Sequence, residues 1–324
     1  MNDGELHDSS IQIRKLRPKI LICITHFVIM ISPAYLKKGD KIGIVASARK
    51  VSEEEMNPGV SLIKKWGLEV VYGKSLFQSE HQFAGTDKER ADDLQQMLND
   101  PSVKAIIGAR GGYGTLRIID QLNFDAFKKH PKWIIGFSDI TVLHSHIHQF
   151  QIETLHAKML LNFTKNETSS EALRQALFGE LKKYEHGAHP LNRAGVAEGE
   201  LVGGNLSLLY ALTGSVSDID TRGKILFLED LDEYLYHMDR MMVNLKRAGK
   251  LTHLKGLVVG GMTEMKDNQI PFGKNADEII MDAVKEFNYP VCFNFSAGHV
   301  DENLPLYLGR KVKLEVGKQV ELIF

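Results

Sequence analysis

Cysteine is nearly absent from this chain. The two that occur, Cys23 and Cys292, stand far apart among apolar residues. That excludes a disulfide framework and a cysteine zinc cluster, and it fits a reducing compartment. An excess of charge of one sign is also missing. Lys and Arg number 40 and Asp and Glu 41, for a formal net charge of −1, so no broad basic field awaits nucleic acid or acidic lipid. The apolar run from Ile20 to Ile31 is broken by Thr25 and His26 and falls short of the roughly 20 residues a spanning helix needs. There is no internal repeat and no low-complexity tract. What is present is ordinary globular material: 324 residues, 43% hydrophobic and 25% charged, long enough for two domains or one large one.

The first 30 residues differ from the rest. A polar start leads to Arg14, Lys15, Arg17 and Lys19 ahead of the short apolar run. Basic residues before an apolar run resemble a signal peptide, but no small-x-small cleavage site follows. Ser32-Pro33-Ala34-Tyr35 then opens what reads as the start of a cytosolic α/β protein. Residues 1–30 are therefore expected to be an extension outside the core fold, with export as the competing reading.

From there strands and helices alternate. Asp40 to Ser47 reads as a strand. Ser52 with Glu55 and Thr86 with Glu89 are capping boxes that open helices. Leu68 to Tyr72 and Val103 to Gly108 are further strands. Trp133-Ile134-Ile135-Gly136 runs into Phe137-Ser138-Asp139, and helical spacing follows at Ile140, Leu143 and Ile147. This alternation predicts a largely parallel sheet covered on both faces, with ligands beyond the carboxyl ends of its strands. Residues 31–164 are expected to form one α/β domain, 165–200 a surface helix and linker without a strong strand, and 201–324 a second domain. In the second part, strands are expected at Lys224 to Leu228, Leu257 to Gly260 and Val291 to Phe295. Helices are expected from about Tyr234 to Ala248 and from Ala276 to Phe287, and the tail reads as short strands.

Several side chains at strand ends can carry chemistry. Ser138 sits at a strand-to-helix turn, as nucleophilic serines do, although Ile140 breaks the G-x-S-x-G pattern. Ser138 or Asp139 could equally cap the helix. Glu229 and His299 also follow predicted strands, so the three have the composition of a Ser-His-carboxylate relay. Taken singly, Glu229 could belong to a solvated acidic loop and His299 to an ordinary turn. Arg110-Gly111-Gly112-Tyr113-Gly114 is a glycine loop between strand and helix. It lacks the spacing of a phosphate loop. With Ser138 it reads instead as an oxyanion hole built from the N–H groups of Gly112 and Asp139, and otherwise as a tight turn. Among His144, His146 and His148, only the first and last share a helix face. No Glu-x-x-His pattern completes a ligand set, which favours structural roles.

At this point the chain resembles the LD-carboxypeptidase family. The resemblance is carried by Arg110-Gly111-Gly112-Tyr113-Gly114, Gly136-Phe137-Ser138-Asp139-Ile140, Gly203-Gly204-Asn205-Leu206, Leu228-Glu229-Asp230 and Ser296-Ala297-Gly298-His299. The motifs lie in order over about Ser32 to Phe324. The resemblance implies a flavodoxin-like amino-terminal domain with a mostly parallel sheet and a smaller carboxyl-terminal α/β domain with its own sheet. It implies that Ser138 is the nucleophile, His299 the general base and Glu229 its orienting carboxylate, with the oxyanion hole at Gly112 and Asp139. It further implies a cytoplasmic homodimer that removes the terminal D-alanine of murein tetrapeptide during cell-wall recycling, without metal or cofactor. Arg110 and Tyr113 are candidates for binding substrate, by proximity to the glycine loop. Where many relatives carry His-Gly-Pro, this chain has His156-Ala157-Lys158-Met159, which bears on substrate choice. A microcin C-like aminoacyl-nucleotide amide is the alternative substrate, with Trp133 and Tyr113 the nearby aromatic residues. A two-domain binding protein without catalysis is the alternative of another class.

Overall fold

The computed structural model describes residues 30–324, so the expectation for the extension lies, Met30 apart, outside the described residues. In the first half, β1 (Lys41–Val45), β2 (Glu69–Tyr72), β3 (Val103–Gly108), β4 (Trp133–Gly136) and β5 (Thr154–His156) alternate with helices. These are α1 (Glu53–Lys65), α2 (Asp87–Asn99), α3 (Thr115–Ile118), α4 (Asp125–Lys129) and α5 (Thr141–His148). Both expected capping boxes form: Ser52 with Glu55 opens α1 and Thr86 with Glu89 opens α2. In the second half follow α6 (Glu167–Phe178), β6 (Lys183–His186), β7 (Gly195–Asn205), α7 (Leu206–Leu212), β8 (Ile225–Leu231), α8 (Leu235–Arg247), β9 (Gly256–Thr263), α9 (Ala276–Val284) and β10 (Val291–Cys292). The chain ends in β11 (Leu306–Leu308), β12 (Lys311–Val316) and β13 (Val320–Ile323).

Two mixed sheets organise these elements. The first has strand order β11-β5-β4-β3-β1-β2 and the second β10-β9-β8-β7-β12-β13-β6. Strands β1 to β5 are parallel to one another, as expected of apolar strands linked by helices. Their two faces are buried separately. Val60, Ile63, Leu173 and Leu177 pack on one side, and Leu94, Leu98, Leu143 and Ile147 on the other.

Two features differ from the sequence reading. Residues 165–200 hold more than a helix and linker, because β6 and the start of β7 lie there and build the antiparallel side of the second sheet. Exposed residues alternate with half-buried ones in β6 and with buried ones at the start of β7, as suits a sheet with one wet face. The tail does not serve one sheet alone. Strand β11 joins β5 of the first sheet in antiparallel register, Leu306 opposite His156, while β12 and β13 complete the second.

The halves are also joined beside the site. The Asn205 N–H donates to Thr141 Oγ1 at 3.0 Å, and Ser145 Oγ donates to the Ser217 carbonyl at 2.5 Å. Helix α5, which follows Ser138, is thereby tied to the start of α7 through Asn205 and to the turn beyond its end through Ser217.

Candidate active site

Ser138 stands where β4 ends. The chain turns through a short 3-10 segment, Ser138–Ile140, before α5 begins. Ser138 has φ of 58°, a left-handed conformation uncommon for a residue with a side chain and typical of strained functional turns. The first hydrogen bond of that segment runs from Ile140 N–H to the Phe137 carbonyl at 3.1 Å. The Asp139 N–H precedes it and has no acceptor within the turn.

The Asp139 side chain is turned inward and is fully buried. One of its oxygens accepts from the Thr115 N–H at 2.9 Å and from the Thr115 hydroxyl. Thr115 also meets Ser47, at 2.7 Å, and the buried Arg90 guanidinium reaches the carbonyls of Ser47 and Gly114. Burial pushes the Asp139 carboxyl up, against the Thr115 donors. The serine turn and the glycine loop are thus one hydrogen-bonded unit. At Gly111 the approach is so close that a Cβ would stand 3.3 Å from Ser138 Oγ and 2.9 Å from Met159 Cε. Gly112 beyond it is exposed.

Glu229 and His299 come from the second sheet. The register of β8 against β9 slips between Leu228 and Asp230, an irregularity of the kind that re-aims side chains beside active sites. The Glu229 side chain is fully buried. Its Oε2 lies 2.7 Å from His299 Nδ1 and accepts the His299 N–H at 3.1 Å. A carboxylate on Nδ1 favours the tautomer with the proton there, leaving Nε2 as the basic nitrogen. Burial alone would pull the imidazole down in pKa, but the hydrogen bond and charge of Glu229 outweigh it and the value is raised.

Asp230 extends this network. It accepts from Asn205 Nδ2 at 2.9 Å, from the Ser207 N–H at 2.9 Å and from its neighbour's N–H, Leu231, at 2.9 Å. Burial, and then the charge of Glu229, push its carboxyl up to about 7.

The serine turn meets the histidine loop through Phe137, whose ring centroid lies 4.8 Å from that of His299. Among the described residues Ser138 makes no hydrogen bond to His299. The other candidates are scattered. Tyr113 is exposed and packs on Phe83 at 6.3 Å, and the charge of Arg110 acts on Glu55. Trp133 is fully buried, its Nε1 donating to the Ala34 carbonyl at 3.0 Å, so it offers no stacking face. His144 meets the Gly136 carbonyl at 2.9 Å and His146 meets Ser217 at 2.8 Å. Burial pushes the rings of His144 and His148 down to about 4 and about 3. No cluster of three or more His, Cys, Asp or Glu able to hold a metal occurs among the described residues, and no described helix is long and apolar enough to cross a membrane. Sequence reasoning missed the Thr115–Asp139 clasp and the Thr141–Asn205 link, because neither pair is close in sequence or marked by a motif.

Fold and site together have the make-up of a serine hydrolase, with a strained serine turn on one sheet and a His–Glu pair on the other. Comparison with known proteins makes this more specific. A model of the LD-carboxypeptidase N-terminal domain matches residues 42–157, and one of the C-terminal domain matches residues 198–314. A probable murein peptide carboxypeptidase of Bacillus subtilis (strain 168) is 35% identical over 304 residues, covering 92% of this chain and 95% of that protein. The crystal structure of muramoyltetrapeptide carboxypeptidase from Oxalobacter formigenes superposes with a TM-score of 0.80 at 25% identity, over 88% of this chain and 99% of that one. MccF in complex with glutamyl sulfamoyl guanosine has a TM-score of 0.80 at 22% identity, over 90% of this chain and 97% of that one, a likeness of fold. This chain belongs to the LD-carboxypeptidase family.

Proposed function

We propose that the enzyme removes the terminal D-alanine from the murein tetrapeptide L-alanyl-γ-D-glutamyl-meso-diaminopimelyl-D-alanine, in the cytoplasm and as a homodimer, in cell-wall recycling. Ser138 is the nucleophile, His299 its general base and Glu229 the group that orients the imidazole. The observation that carries this reading is the 2.7 Å contact between His299 Nδ1 and the buried Glu229 carboxylate, with the imidazole packed 4.8 Å from Phe137, the residue before a serine with φ of 58°.

The chemistry follows from those groups. His299 Nε2 takes the proton of Ser138 Oγ as that oxygen attacks the diaminopimelyl carbonyl. The N–H groups of Gly112 and Asp139 bind the tetrahedral oxyanion. The carbon–nitrogen bond breaks as the imidazolium returns its proton to the leaving amine of D-alanine. Water, deprotonated by His299, then hydrolyses the ester and restores Ser138.

The same machinery would cleave a microcin C-like amide, but that substrate asks for a face on which a base can stack. Of the two aromatic residues considered for that role, Trp133 is buried and Tyr113 is exposed. A binding protein without catalysis has no use for a buried carboxylate set on a histidine. The serine-bearing part is taken as 31–164, and the part with Glu229 and His299, expected at 201–324, is extended back to β6 at Lys183, with β11 lent to the first sheet. The reading is tested by measuring free D-alanine released from the tetrapeptide by the native protein and by Ser138→Ala. Release by both at equal rates rules it out.

A further inference from the structure

Lys158 is a buried cation without a matching anion. It is only 5% exposed, and among the described residues its ammonium has one acceptor, the Asn166 carbonyl at 3.4 Å, with no carboxylate within 4.0 Å. An ammonium carries three donors, and a buried charge is costly unless it is paired. Lys132 shows the satisfied alternative in the same domain. Its ammonium, also buried, donates to the carbonyls of Met97 at 2.8 Å and Asp100 at 2.6 Å. Burial pulls the Lys158 amine down in pKa, and the charge of exposed Asp301 pulls it back up.

The position of Lys158 says what is missing. It lies two residues beyond β5, at the carboxyl end of the parallel strands, where ligands bind in such sheets. The Ala157 N–H donates to the Gly136 carbonyl at 3.0 Å, and the Leu161 N–H to the Ala109 carbonyl at 3.0 Å. Met159 lies against Gly111. The segment is therefore clasped between the serine turn and the glycine loop. Asp301, whose field reaches Lys158, stands two residues beyond His299. The residues on either side of Lys158 thus touch the segments of the serine turn and the glycine loop, and the charge of Asp301 reaches its amine from the histidine loop.

We propose that Lys158 is a specificity-determining residue whose ammonium binds a carboxylate of the peptide substrate. The inference rests on the carboxypeptidase reading above. The tetrapeptide carries three free carboxylates, and the two that flank the scissile bond are the ones proposed, the terminal one of D-alanine and the side-chain one of diaminopimelate. The α-carboxylate of the γ-linked glutamate, common to all three test peptides, is the one the proposal excludes. In either case the cation sets KM for anionic peptides and leaves the reacting groups alone.

The test uses the full chain, its Lys158→Met and Lys158→Gln variants and Ser138→Ala, with three peptides: the tetrapeptide, its C-terminal amide, and the analogue with lysine in place of diaminopimelate. Expected is a rise of about ten- to hundred-fold in KM for the tetrapeptide in both Lys158 variants, the size of a lost charge-assisted bond, with kcat changed only a few-fold. On the peptide that lacks the recognised carboxylate, native protein already shows that penalty and the variants add none. That peptide identifies the source of the anion. Equal loss on all three peptides, loss confined to kcat, or no loss would overturn the proposal. Cleavage of none of them by native protein would instead remove the carboxypeptidase reading and this proposal with it. Should one variant fail to fold, its melting curve shows it and the other carries the comparison.

Discussion

One oxygen of Glu229 accepts two hydrogen bonds from the same residue, His299: Oε2 lies 2.7 Å from Nδ1 and 3.1 Å from the main-chain nitrogen. The carboxylate therefore fixes both the ring and the loop that carries it. Replacing it with an amide keeps the shape but removes the charge, and lets an NH2 group face Nδ1. Glu229→Gln should lower kcat by about 10³- to 10⁴-fold, as when the orienting carboxylate of a relay is lost, with KM within a few-fold. Steady-state release of D-alanine checks this. A kcat within ten-fold of native would mean that Glu229 does not orient the base.

The pH profile follows from the same pair. A general base must be neutral, and the His299 pKa is raised by Glu229 despite burial. Activity should therefore fall with acid through a midpoint above about 6.5, the ordinary histidine value. Asp230 adds to that rise, so Asp230→Asn should move the midpoint down, whatever it does to the plateau. For stability the sign is opposite. A histidine whose folded pKa is raised contributes stability that is full below its unfolded value and is lost as pH climbs through the folded one. A midpoint of kcat/KM below 6.5 would contradict this.

Gly298 is held at φ of 100°, and a Cβ there would stand 2.6 Å from Glu229 Oε2. The Ala substitution both strains the backbone and pushes the carboxylate off the imidazole. Gly298→Ala should lose about two orders of magnitude or more in kcat. Gly187→Ala, where nothing lies within 4 Å of the added atom, should keep full activity. Equal activity in the two variants would show that the loop gives way without disturbing the pair.

Away from the site, Arg310 ties the halves together. Its guanidinium lies 3.5 Å from the Tyr307 ring centroid and donates to Glu153 at 2.7 Å, with side chains 14% and 8% exposed. Arg310→Met leaves Glu153 buried and unpaired, at a cost of about 3 kcal/mol. The double replacement with Glu153→Met should recover part of it. Denaturant midpoints decide the matter, and a double variant as weak as the sum of the singles would mean that the pair is not coupled.

Much of this was legible in the sequence because it is local. Apolar runs ending in Gly136, Glu229 and the Ser296 to His299 loop marked strand ends, and the capping boxes at Ser52 and Thr86 marked helix starts. Five motifs in order carried the family. What was not legible is long-range or weakly patterned. Strand β6, Lys-Tyr-Glu-His, is too short and polar to signal itself. That β11 would pair with β5 depends on which edge is open, and no local preference encodes that. The clasp of Thr115 on Asp139 and the isolation of Lys158 are properties of three-dimensional neighbours.

The central claim, that Ser138 attacks the amide before a terminal D-amino acid, is tested most directly by mass spectrometry of the murein tetrapeptide after incubation with the protein, beside a Ser138→Ala control. Loss of one D-alanine with the native protein and none with the variant is the predicted result. Cleavage by both would remove Ser138 from the reaction, and cleavage by neither would contradict the murein tetrapeptide as the substrate.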